Sequence, residues 1–177
     1  MGVVWDGYRP YVPPHSGLPN EMSRRDAKEC YLHLIAARPE RRAQLTDLLR
    51  ANGLVVDSTD RGLGELERWF RSNVEPNRDD PNRLANLWYS VVNDIGLLLG
   101  DVAIERAPTL HWEFYVWGAK NISYQRHVIM GFTGVANPRY NIDFDRLVAT
   151  LGHRIIAGST VNDDEFPTWI NTAVGNA

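Results

Sequence analysis

Glu105, His111, Glu113 and His127 are the side chains in this 177-residue chain whose types suit general acid–base work. They lie in a stretch where apolar and polar residues alternate. On paired strands Glu105 then faces His111, Glu113 lies two residues further on, and His127 falls opposite Tyr115. An imidazole titrates near neutral pH and a carboxylate can orient it. The same groups can form a His/Glu metal site with water completing the shell, although their spacing matches no His-Glu-x-x-His pattern. The plainer account is that alternation places polar residues on the wet face of any half-solvated sheet. A cross-strand Glu–His pair there contributes only about 0.2–1 kcal/mol.

Tyr115 and Trp117 share that outward phase and are more informative. Two large aromatics on a face expected to be wet call for a cover: the N-terminal arm, the C-terminal tail or another protein. Tyr and Trp are favoured anchors in protein interfaces. Tyr115, Trp117, Glu105, Glu113 and Gln125 therefore form the candidate binding surface. The remaining candidates have structural readings. His33 sits on a helix surface, His153 complements the dipole of a last helical turn, and Cys30 belongs to an apolar helix face where burial leaves a thiol inert. Gly131-Phe132-Thr133-Gly134 lacks the Gly-Lys-Ser/Thr ending of a phosphate loop, and no cofactor is expected.

The elements that must position these groups follow from periodicity. Leu84, Leu87, Trp88, Val91, Val92, Ile95, Leu98 and Leu99 recur at helical spacing and predict a central helix over 81–100. Asp80 is placed to cap it, Pro81 to open it and Gly100 to stop it. Three alternating runs then predict an antiparallel meander: Val102 with Ile104, Leu110 to Val116, and Val128 to Phe132. Keeping the apolar phases aligned sets Ile104 opposite Trp112 and Phe114 opposite Val128. Ahead of the central helix, Ser23 caps a helical run that Pro39 interrupts, leaving either an antiparallel helix pair or one kinked helix. Ser58 is expected to cap a helix carrying Leu63, Leu66, Trp69 and Phe70, and Asp143 a last helix ending near Gly158. Residues 1–22, with Pro10, Pro13, Pro14 and Pro19 among Trp5, Tyr8 and Tyr11, predict an extended arm packed along the domain. Phe166 and Trp169 are expected to dock the tail. The reading is one α+β domain over 23–177, with helices on one face of a small antiparallel sheet.

Composition narrows the function classes. The formal net charge is -3 and 44% of residues are hydrophobic, an ordinary globular balance that does not point to nucleic acid. Of 19 basic residues only Lys28 and Lys120 are lysines, a bias that a GC-rich bacterial genome produces. One cysteine permits no internal disulfide and fits a reducing cytoplasm. The start Met-Gly-Val-Val-Trp-Asp has no basic region before an apolar run, so no signal peptide is expected. The apolar window 91–104 is broken by Asn93, Asp94 and Asp101, so no membrane partner is expected.

The helix over 88–101, ending Leu-Leu-Leu-Gly-Asp, is followed by the strand His-Trp-Glu-Phe-Tyr. Over roughly residues 60–157 this order of elements resembles small uncharacterised bacterial proteins encoded beside polymorphic toxins, some of them immunity proteins. The resemblance implies a binding protein that occludes a toxin's active site with acidic and aromatic surface groups, and it transfers no site residue. The alternatives are a small hydrolase or metal-dependent enzyme using the His/Glu cluster, and a structural component of a phage or secretion assembly.

Overall fold

The computed structural model describes residues 2–177. It is an α+β protein of five helices and one two-stranded antiparallel sheet: α1 Arg24–Ala51, α2 Asp60–Asn73, α3 Asn86–Arg106, β1 His111–Phe114, β2 His127–Met130, α4 Phe144–Ile156 and α5 Glu165–Gly175. The long central helix is α3. It packs against α4, α1 and α5, and Trp88, Val91, Ile95, Leu99 and Val102 are buried along it.

Both ends of α3 differ from the sequence reading. Pro81 does not open the helix, because Asp80 Oδ1 accepts the Asn82 backbone N–H at 3.1 Å and makes a local turn. Leu84 then forms an isolated bridge with Pro76, and the helix starts only after Ala85. Nor does Gly100 stop it. The Trp112 indole occupies the space a Cβ would fill at Gly100, so glycine here serves close approach within a helix. The helix ends at Ala107, whose extended backbone is what a following proline demands. Val102 and Ile104 are consequently helical, and the expected first strand does not exist.

The meander thus contracts to a hairpin. Its register pairs His111 with Met130, Trp112 with Ile129, Glu113 with Val128 and Phe114 with His127. Phe114 was expected opposite Val128, and His127 opposite Tyr115, so the observed pairing is shifted by one. The shift carries His127 to the same face as Trp112, their ring centroids 5.9 Å apart. Ile129 also bridges to Ile142.

Of the two readings left open around Pro39, the chain takes one continuous helix, α1. Ser23 caps it as expected, accepting the Asp26 N–H at 3.1 Å. Thr59 rather than Ser58 caps α2, accepting the Gly62 N–H, and the Ser58 hydroxyl turns to Glu105 instead. Asp143 caps α4 and Gly158 follows with a left-handed backbone, both as expected. The tail docks through Phe166 and forms α5. Asp164 makes no side-chain cap there. Instead Glu67, buried on α2, accepts the Phe166 N–H at 2.9 Å and holds Arg71 at 3.3 Å.

The N-terminal arm lies across these helices. Trp5 meets Trp88 edge-on with centroids 5.3 Å apart, and Tyr11 N–H donates to Ser90 Oγ at 2.8 Å. The Tyr8 hydroxyl reaches the buried Asp94 carboxylate at 2.6 Å.

Candidate functional site

The four acid–base candidates do not converge. Glu105 sits on α3, a helical position, and receives the Ser58 hydroxyl at 3.4 Å. His111 and Glu113 remain neighbours on one face of β1, His111 exposed and Glu113 half-buried, with Nε2 and Oε2 3.7 Å apart. His127 points to the opposite face, beside Trp112. Losing the first strand removes Glu105, and the one-residue change of register removes His127. A partly exposed His–Glu pair is what remains, with the Thr109 backbone carbonyl 3.4 Å from His111 Nδ1.

The candidate binding surface divides in the same way. Tyr115 is 2% exposed and Gln125 is 4% exposed. The Tyr115 backbone continues the hairpin, its N–H donating to Arg126 O and its carbonyl accepting from Gln125 N. Gln125 takes a left-handed backbone, unusual for a residue with a side chain. Its Nε2 donates to the carbonyls of Pro19 at 2.6 Å and Met22 at 3.1 Å. This side chain clasps the arm and is therefore not a partner contact. The cover expected over Tyr115 is internal. Trp117 and Glu113 stay outside, Trp117 at 48% exposure with the Arg139 guanidinium 5.1 Å from its ring centroid. Ile122, on the same β1–β2 loop, is 66% exposed.

Two charged networks that the sequence did not reveal lie beneath the arm. Arg41 on α1 makes a two-pronged contact with Asp94 on α3, Nε to Oδ1 at 2.8 Å and Nη2 to Oδ2 at 2.6 Å. Its Nη1 donates to the arm carbonyl of Arg9 at 2.7 Å. Burial pushes the Asp94 carboxyl above the ordinary carboxylate range, against the opposing pull of Arg41 and Tyr8. Burial also raises the Tyr8 phenol, with the Asp94 charge adding to the effect. The geometry is that of an ionised pair with Tyr8 donating the third bond. Nothing local signals the pair: Arg41 stands between Glu40 and Arg42, and Asp94 between Asn93 and Ile95.

The second network joins Arg126 to the start of α4. Its Nε contacts Asp143 Oδ2 at 2.5 Å and its Nη2 contacts Asp145 Oδ2 at 2.5 Å. Burial holds the adjacent His127 below the usual histidine pKa and Arg126 acts in the same sense, while Asp145 and Asp143 oppose them. The His127 Nε2 is buried without a hydrogen-bond partner.

At the base of the arm, His15 Nε2 lies 3.0 Å from Glu29 Oε2. With Asp26 these residues place three possible ligand atoms within 4.8 Å of one another, the one such group among the described residues. It is partly exposed and stands at a helix N-terminus, where the dipole opposes a cation. No protein-family model, curated protein or solved structure matches this chain.

Proposed function

We propose that this chain is a protein-binding module that engages its partner through the β1–β2 loop. The observation that carries the reading is the exposure of Trp117 and Ile122 on that one loop, 48% and 66% respectively, with Arg139 stacked on the indole. Trp and Arg dominate the energetics of protein interfaces because a large rigid surface is desolvated at little entropic cost. Exposed apolar residues are ordinary singly, but a Trp and an Ile on one loop make a patch that a partner can dry. Glu113, half-buried beside His111, adds an acidic group along β1. The separation of the four acid–base candidates favours binding over catalysis. An immunity-like role, with a toxin as partner in a bacterial cytoplasm, is supported by the resemblance over residues 60–157 and by the single cysteine.

The test is affinity capture with the chain and with its Trp117→Ala/Ile122→Ser variant, using the product of the neighbouring gene as purified partner. Both substitutions lie at exposed positions, so the melting temperature is expected to stay within about 2 °C. Binding is expected to weaken by more than thirtyfold, as removal of an interface anchor worth about 2 kcal/mol or more requires. Equal binding by both proteins would remove the loop from the interface.

A further inference from the structure

The β1–β2 loop and the turn beside it carry a charge opposite to that of the whole chain. The formal net charge is -3, yet between residues 107 and 142 the one acidic residue is Glu113, and the basic ones are Lys120, Arg126 and Arg139. Glu113 stands beside His111 on β1. Arg126 is engaged inside the fold by Asp143 and Asp145. Lys120 and Arg139 are exposed and, among the described residues, make no ion pair. Lys120 lies between Trp117 and Ile122 in the chain, and the Arg139 guanidinium stands over the Trp117 ring at 5.1 Å from its centroid.

This patch is also held in one shape. The buried Tyr115 hydroxyl donates to the Arg139 carbonyl at 3.4 Å and accepts from Asn121 Nδ2 at 3.3 Å, joining the loop to the turn that carries Arg139. Asn121 Oδ1 accepts the Ser123 N–H at 2.8 Å, and the Asn121 N–H donates to the Gly118 carbonyl at 2.8 Å. A surface fixed before contact loses little conformational entropy on binding.

We infer that the partner face received by this loop is acidic: an apolar side chain flanked by Asp or Glu carboxylates. This rests on the loop being the contact surface and adds the partner's chemistry. Trp117 and Ile122 offer apolar area to be dried. A guanidinium stacked on an indole keeps its N–H edge free for two parallel bonds to one carboxylate. The Lys120 ammonium, a point charge on a flexible stem, suits a second carboxylate. A basic partner would instead meet two unpaired cations, the like-charge contact by which interfaces reject wrong partners.

The probes are two capped peptides, Asp-Asp-Leu-Phe-Glu-Glu and its uncharged isostere Asn-Asn-Leu-Phe-Gln-Gln. Each is titrated into the full chain and followed by the amide resonances of residues 118–122 and the Trp117 indole. The acidic peptide is expected to bind saturably, about tenfold more tightly than the isostere at low salt. That ratio should fall towards unity at about 1 M salt, where the Debye length is about 3 Å. Lys120→Gln/Arg139→Gln should remove the difference, whereas Lys120→Arg/Arg139→Lys keeps both charges and should retain it. Both positions are exposed, so neither pair of changes is expected to unfold the chain. Equal binding of the two peptides, with both lost in Trp117→Ala/Ile122→Ser, would overturn the acidic assignment and leave the loop as the contact surface. Acidic-peptide binding that survives Trp117→Ala/Ile122→Ser would remove the loop itself. No saturable binding of the acidic peptide, or tighter binding of a thymidine oligonucleotide of equal charge, would also overturn the assignment.

Discussion

Arg41 and Asp94 show how much of this molecule depends on single contacts. Each lies almost wholly out of water, and each satisfies the other through two hydrogen bonds. Removing one partner strands a buried charge, whereas replacing both with apolar residues removes the desolvation penalty as well. Arg41→Ala or Asp94→Ala alone is expected to destabilise the fold by about 3–5 kcal/mol in urea unfolding. The double variant Arg41→Met/Asp94→Leu should lose far less, and a double loss equal to the sum of the singles would refute the pairing. His127 makes a second prediction at this scale. Its ring is held below the ordinary histidine value of 6.5 in the folded state, so the unfolded chain takes up the proton first as pH falls. The folded state therefore loses stability below about pH 6.5, by at most about 1.4 kcal/mol per pH unit, and gains nothing above it. His127→Gln should remove this part of the slope. Unfolding curves of the two proteins between pH 5 and 8 provide the comparison: they should run parallel above pH 7 and diverge below it.

At the scale of elements, α3 illustrates why a glycine is ambiguous in sequence. Gly100 reads as a helix stop because glycine alone takes a left-handed backbone freely. In the fold it remains helical and lets the Trp112 ring lie against the helix axis, with Trp112 Nε1 donating to Asp101 Oδ1 at 2.9 Å. Gly100→Ala is expected to cost about 1–3 kcal/mol, the usual penalty for overpacking a well-filled site. Gly175 at the end of α5 has open space around it, and Gly175→Ala should be neutral or slightly stabilising. Similar losses for the two would remove the close-approach account. The same elements show what was legible. Caps are local, so Ser23 and Asp143 marked the starts of α1 and α4 correctly. Val102 and Ile104 fit a strand in sequence because a short window matches a period of 2 as well as one of 3.6. Only Trp112 returning onto Gly100 decides between them.

Across the whole molecule, the arm and the β1–β2 loop are treated oppositely. The arm's Trp5, Tyr8 and Tyr11 are packed or hydrogen bonded onto α1 and α3, while the loop leaves Trp117 and Ile122 in water. The sequence calls for a packed arm and for cover over Tyr115 and Trp117, and the fold supplies both except at Trp117. Two further consequences are beyond local reading. α3 is long and apolar enough to cross a membrane by length and composition, yet 67% of its most apolar window is buried within the fold. Glu67 caps α5 from another helix, ninety-nine residues away in sequence, where no spacing rule reaches.

The amino-acid order by itself determined the α+β class, the long apolar helix, the caps at Ser23 and Asp143, and an arm with aromatic anchors. Each follows from periodicity or from contacts inside a single turn. Tertiary structure alone decided the ends of α3, the register of the hairpin and which polar side chains meet. A strand register changes by one residue at small local cost, yet that change reverses every side chain. The separation of His127 from Glu113, and the pairing of Arg41 with Asp94, were settled by packing between segments distant in sequence.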